Sequence, residues 1–241
     1  MLIILPPSET KAWGTIESPI NFDSLSFPSL NPTREEVAHD LVSLCQDPEQ
    51  AVNVLKLSAR MRDEVTANTQ LLSAATSPAI SLYTGVLYDA LSPTSLSPSA
   101  RDALKSKVAI ASALFGLSMA EDLIPHYRLA AGAKFNLTKR WRGKLTEALN
   151  EAQSGLVIDM RSKAYQKLDD LSGYEGELCT IKVVNEKTGT SISHSSKKHK
   201  GLLSRRIMED CPGVDSIADL LAAIDNLEQN PEDPSELLYK V

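Results

Sequence analysis

Residues 197–206 read Lys-Lys-His-Lys-Gly-Leu-Leu-Ser-Arg-Arg, five bases without an acid, and the chemistry such a tract offers is phosphate binding. At about 100° per residue, Lys198, Gly201 and Arg205 fall on one stripe of a helix, while Leu203 and Ile207 point the other way. A helical glycine costs about 1 kcal/mol relative to alanine, so something must offset Gly201. Either a phosphate backbone approaches closely between the cations, or another helix packs into the gap and the bases stay in solvent; the pattern admits both. Phosphate contacts from all five bases predict a slope of about −4.5 in log K against log salt. Lys163 and Tyr165 follow the apolar run 155–160 and form a second candidate, able to orient a phosphate or move a proton. An exposed lysine beside a partly buried tyrosine is the plainer alternative.

Other chemistries find little support. His39, His126, His194 and His199 form neither an H-E-x-x-H pair nor a Cys/His cluster, so they read as lone surface histidines and neither a metal nor another cofactor is expected. Phosphate-loop and dinucleotide-binding glycine patterns are absent from the sequence, and Ser8, Ser162 and Ser195 lack a nucleophile-elbow frame.

The elements that must position these residues alternate between strand and helix. Residues 2–5 are a short apolar run emptying through Pro6-Pro7 into a polar loop, Ser8-Glu9-Thr10-Lys11, and such a loop is a common ligand position in open α/β sheets. Residues 12–32 read as an extended surface connection. Helices are predicted from Thr33 to about Cys45, after Asp47-Pro48, from a cap at Ser58 to about Ala75, after Ser97-Pro98, and around Trp141 to Ala152. The continuous apolar run 108–116 reads as a central strand ended by Gly116, residues 155–160 as another, and 180–184 with the turn 186–189 as a hairpin. A basic and then an acidic helix close the chain. The expectation is an α/β (mixed α+β) fold: a single domain, 1–241, with a mixed sheet flanked by helices.

Composition agrees with an ordinary globular protein: 241 residues, 42% hydrophobic and 23% charged. Three distant cysteines, Cys45, Cys179 and Cys211, argue against a disulfide framework and for a reducing, cytoplasmic compartment. The net charge of −6 would disfavour nucleic acid, but it is unevenly spread. The acidic segment 209–241 holds nine acids against Lys240, whereas residues 128–206 hold sixteen bases and eight acids. That segment is either a solvated helix and tail or a polyanion mimic that covers the basic surface.

In sequence order, several short motifs resemble the YaaA-type peroxide stress family of bacteria. The Pro-Ser-Glu-Thr loop resembles its opening P-[AS]-[KE]-T pattern, Ser58 to Met61 its S-x-[KR]-L, and Leu82-Tyr83-Thr84-Gly85 its [VL]-Y-x-G. Ser112 to Gly116 is similar to S-x-L-[YF]-G, Tyr127-Arg128-Leu129 with Gly132 to Y-R-L-x-x-G, and Lys197 to Arg205 to K-K-x-R-G-L-M-S-R. Ser162 and Tyr165 resemble S-x-E-Y, with Ala164 where the family tends to have glutamate, a loss that favours binding over catalysis. The resemblance implies a DNA-binding protein of the hydrogen peroxide response, with a positively charged cleft, a helix-hairpin-helix-like element and a role in lowering free intracellular iron. In such an element near Gly116, Ala113 would replace the first glycine.

The expected DNA contacts are therefore Lys197, Lys198, Lys200, Gly201, Arg205 and Arg128, with Lys11, Arg60 and Lys163 along the same groove. Tyr83, Tyr127 or Tyr165 would stack on an unpaired base. Contacts to phosphate carry no sequence code, so the expected preference is for bulged or distorted DNA. The rival expectation is an enzyme acting on a damaged base or a phosphorylated metabolite, with Ser8, Thr10, Asp122, Arg128, Lys163 and Tyr165 converging at strand ends near Ser58, Tyr83 and Tyr127.

Overall fold

The computed structural model describes residues 1–152, 155–192 and 195–241; His194 lies outside them. Among the described residues nine strands form, β1 (Leu2–Leu5), β2 (Thr76–Pro78), β3 (Val108–Ser112), β4 (Gly116–Met119), β5 (Leu123–Pro125), β6 (Val157–Asp159), β7 (Leu178–Val184), β8 (Leu227–Asn230) and β9 (Asp233–Lys240). Seven make one sheet in the order β4-β3-β1-β6-β7-β9-β8, and β2 pairs with β5 separately. The inner strands β3, β1, β6, β7 and β9 are parallel, while β4 and β8 add to the two edges antiparallel. Every residue of β1, β3 and β6 is buried, as a parallel sheet covered on both faces requires.

Local signals set most helices. Asp47 accepts from the amides of Glu49 and Gln50, both at 3.1 Å, and Pro48 opens the helix Pro48–Leu55. Ser97 caps Pro98–Lys107 in the same way. Helix Asn31–Leu44 starts two residues earlier than the pattern around Thr33 predicts, and the helix after Ser58 divides into a 3₁₀ turn, Ala59–Met61, and Arg62–Thr69. The basic tract is helical, as expected, within Ser196–Asp210.

Two expectations are corrected. Gly116 does not end a strand but opens one: its φ of 70° permits a tight reversal that pairs Val108–Ser112 with Gly116–Met119. Ala113 to Gly116 thus join two strands, and no helix-hairpin-helix lies there. The acidic segment is no tail, because residues 227–240 build β8 and β9 and complete the sheet. Its carboxylates are used locally, Glu236 against Lys182, Glu228 against Lys240, and Glu209 against Ser97 and Arg205.

The five parallel strands, counted in chain order, lie 2-1-3-4-5. Connections therefore leave β1 in opposite directions, and the crevice between the carboxyl ends of β1 and β6 is where a ligand fits in such sheets. That rule places the loop after Leu5 and the turn after Asp159 side by side.

Candidate functional site

The loop following β1 is pinned to the turn before helix Val86–Leu91. The amide of Ala12 donates to the carbonyl of Leu82 at 2.7 Å, that of Thr84 donates to Thr10 at 3.3 Å, and Lys11 bridges Tyr83. Gly85 is needed at this contact. Its φ is 102°, and a Cβ there would stand 3.3 Å from Ser8 Oγ and 3.5 Å from Thr10 Oγ1. The result is a cluster of hydroxyls: Ser8 Oγ lies 3.1 Å from Thr10 Oγ1, which lies 3.3 Å from Thr84 Oγ1. They face a cavity of about 350 Å³ that Tyr88 and Lys197 also line. Lys197, nearly two hundred residues away in sequence, thus meets the Pro-Ser-Glu-Thr loop.

Beside the hydroxyls lies a cationic and aromatic cluster. Arg128 donates to the Glu9 carbonyl at 2.9 Å and pairs with the Glu9 carboxylate. Lys11 Nζ sits 4.3 Å from the Tyr127 ring centre and 5.4 Å from that of Tyr83. Its polar partner is the Glu9 carbonyl at 3.4 Å. Burial, then the Arg128 guanidinium, lower the Lys11 ammonium to about 7, against weaker attraction from Glu64 and Glu9. Tyrosine faces attract a cation and work against that shift. The Tyr83 and Tyr127 hydroxyls meet at 2.8 Å, and Ser112 Oγ, at the end of β3, meets Tyr127 at 2.6 Å. Tyr165 completes the cluster, near Tyr127, Glu9 and Arg128.

Burial pushes the hydroxyls of Tyr83, Tyr88, Tyr127 and Tyr165 well above the ordinary tyrosine value of 10.0. Below that value both folded and unfolded chains keep these protons, and above it only the unfolded chain releases them. Stability is therefore lost as pH rises beyond about 10. Urea titrations at pH 9 and 11 should show a marked fall in midpoint, and Tyr127→Phe should reduce the fall.

The structure brings together Ser8, Thr10, Lys11, Tyr83, Tyr127, Arg128, Tyr165 and Lys197, and leaves other expected residues elsewhere. Lys198 and Arg60 are exposed, Arg60 in the turn that follows Ser58; Ser58 lies outside the cavity and makes no capping bond. Lys163 lines a separate cavity of about 830 Å³ with Arg142 and Lys167.

Several expected contacts are corrected. Arg205 is spent on backbone carbonyls, donating to Leu91, Ser92 and Ser95 at 3.0–3.2 Å. Lys200 Nζ donates to Met160 at 3.0 Å, and its burial lowers its basicity. Gly201 faces helix Val86–Leu91, where a Cβ would lie 2.2 Å from the Leu87 carbonyl oxygen, so helix packing and not phosphate explains the glycine. Asp122 is structural, accepting from Ser26 and the Met119 amide. Tyr83 and Tyr127 are 2% and 1% exposed and present no free face to a base.

Sequence reading missed Trp13. It is 63% exposed and stacks on His126, with ring centres 4.1 Å apart. His126 is itself buried, corrected from a surface position, and is held by the Ala12 carbonyl and Glu64. The available signal was a lone tryptophan in a polar loop. Among the described residues no group of three His, Cys, Asp or Glu side chains could hold a metal ion, and no helix is long and apolar enough to cross a membrane.

Fold and site together define a mixed α/β protein with a cavity beside the loop after its first strand, lined by hydroxyls and Lys197. The sequence profile of the peroxide stress protein YaaA family matches residues 1–229, and the chain belongs to that family. A UPF0246 protein of Corynebacterium efficiens is 43% identical over 216 residues, covering 85% of this chain and 84% of the relative. One from Streptomyces coelicolor is 38% identical, covering 94% and 90%. An uncharacterised protein of Campylobacter jejuni is 29% identical, covering 84% and 82%. Membership places the chain in the response to peroxide stress.

Proposed function

We propose that the protein acts in the peroxide stress response by binding DNA through its phosphates, with the crevice after β1 as the centre of the interface. The observation that carries this reading is the meeting of Lys197 with the hydroxyls of Ser8, Thr10 and Thr84 in one cavity, with Arg128 held beside it on Glu9, a residue that also lines the cavity. Phosphate is the ligand that uses both kinds of group. Arg128 Nε adds to the case. It is buried without an acceptor among the described residues, a situation that costs about 1–3 kcal/mol and that an anion drawn in beside it would offset. Exposed Lys198 extends the cationic surface along the helix. Limitation of free iron is an indirect consequence in this reading and rests on family resemblance alone.

With Lys200 and Arg205 committed internally and the Lys11 ammonium lowered to about 7, the contacts left are those of Arg128, Lys197 and Lys198, so the slope of log K against log salt should be about −2.7. Anisotropy of a labelled bulged duplex across a salt series measures it. Lys197→Glu with Lys198→Glu should weaken binding by about tenfold or more at 0.1 M salt. Equal affinity in that double variant, or no binding by the natural protein at about 50 mM salt, refutes the reading.

A second reading, an enzyme acting on a damaged base or a phosphorylated metabolite, is favoured by one specific feature, the half-buried Lys11 amine without a carboxylate partner.

A further inference from the structure

Lysine side chains near a carboxylate normally pair with it. Lys11 does not. Its sequence neighbour Glu9 is drawn to Arg128, leaving the Lys11 amine only a carbonyl at 3.4 Å and two tyrosine faces. Among the described residues it makes no ion pair, while the exposed Lys105 and the half-buried Lys240 do. The groups facing it are Glu9 on its own loop, Glu64 on helix Arg62–Thr69, Arg128 and Tyr127 after β5, and Tyr83. A neighbouring guanidinium and an apolar enclosure are the two devices that keep a lysine amine unprotonated and therefore nucleophilic. The hydroxyl-lined cavity with Lys197 begins at the adjacent residue, Thr10.

We propose that Lys11 is a nucleophilic amine that forms an imine with the aldehyde of a phosphorylated sugar, its phosphate seated among Ser8, Thr10, Thr84 and Lys197. The inference rests on the phosphate-binding reading above and names the reactive group within it. The Nζ lone pair attacks the carbonyl carbon to give a carbinolamine. The remaining carbon–oxygen single bond then breaks, the oxygen leaves as water with both amine hydrogens, and the nitrogen lone pair forms the C=N bond that replaces C=O. No oxidant or reductant takes part. The aldehyde has two chemical sources, an abasic site in DNA and a free sugar phosphate.

The test incubates the full chain, with cyanoborohydride to fix any imine, with either a duplex oligonucleotide carrying one abasic site or deoxyribose 5-phosphate. Peptide mass mapping then locates the adduct. At pH 7 an amine that titrates near 7 has about a thousandfold larger neutral fraction than an ordinary lysine. Adduct should therefore concentrate on Lys11, its rate levelling off above about pH 7, and should vanish in Lys11→Arg. Adduct spread over lysines in proportion to exposure, or equal yield in Lys11→Arg, overturns the proposal. Lys11 adduct with the sugar phosphate but not the oligonucleotide supports the imine and overturns DNA as the partner. Tight oligonucleotide binding without a Lys11 adduct in either arm overturns the imine and leaves the DNA reading standing.

Discussion

Replacing Gly201 with alanine should lower the melting temperature by about 6 °C, although alanine is the better helix former. Propensity alone gains about 1 kcal/mol in the middle of a helix. Against it, the new methyl carbon would lie 2.2 Å from the Leu87 carbonyl oxygen and 3.0 Å from Ala90 Cβ. The first neighbour is backbone and cannot rotate away, so two helices must move apart. Overpacking of this kind costs about 3 kcal/mol at the upper end of its usual range. The net loss of about 2 kcal/mol corresponds to the stated shift for a chain of this length. Sign is the decisive readout. Were Gly201 kept for a phosphate backbone, the variant would melt higher and bind DNA less tightly; with helix packing as its role, it melts lower. Thermal unfolding by circular dichroism, with anisotropy on the folded fraction, separates the two.

The same residue shows what sequence could convey. The stripe of Lys198, Gly201 and Arg205 was legible as a stripe, and the helix formed where expected, because spacing fixes which residues share a face. What that face meets depends on chain more than a hundred residues away. Arg205 finds the carbonyls of Leu91, Ser92 and Ser95, and no local pattern marks a helix end as lacking donors for its carbonyls. Lys11 was legible only as a charge in a loop; its lowered basicity comes from burial and from Arg128, both supplied by distant chain. Strands β1, β3 and β6 were plain as apolar runs because both sheet faces are covered. Strand β9 was not, since it begins Asp-Pro-Ser-Glu and its first three residues are exposed, so acidity outweighed the later Leu-Leu-Tyr. Strand β4 was hidden by Gly116, whose positive φ makes a reversal where a stop was expected.

The second large effect is expected at the mouth of the crevice, where Arg161→Met should cost about 3–5 kcal/mol. Asp159, the last residue of β6, is 1% exposed, and Arg161 is 2% exposed. The guanidinium grips the carboxylate through Nε and Nη2, both at 2.9 Å, and the Arg161 amide donates to the same carboxylate at 2.9 Å. Removing the guanidinium leaves a buried charge with one amide, Gln166 at 3.3 Å and the attraction of Lys200. An unpaired buried carboxylate is the costly state. Neutralising it as well, in Arg161→Met with Asp159→Asn, should therefore recover part of the loss, so the double variant melts above Arg161→Met although it carries one more substitution. Urea unfolding of the four proteins closes the cycle and gives the coupling energy. This pair sets the turn that carries Lys163 and Tyr165 past the end of β6, so the single variant should also weaken DNA binding measured on its folded fraction. Additive losses across the cycle would instead mean that Arg161 acts through its packing and that the ion pair contributes nothing to holding the crevice open.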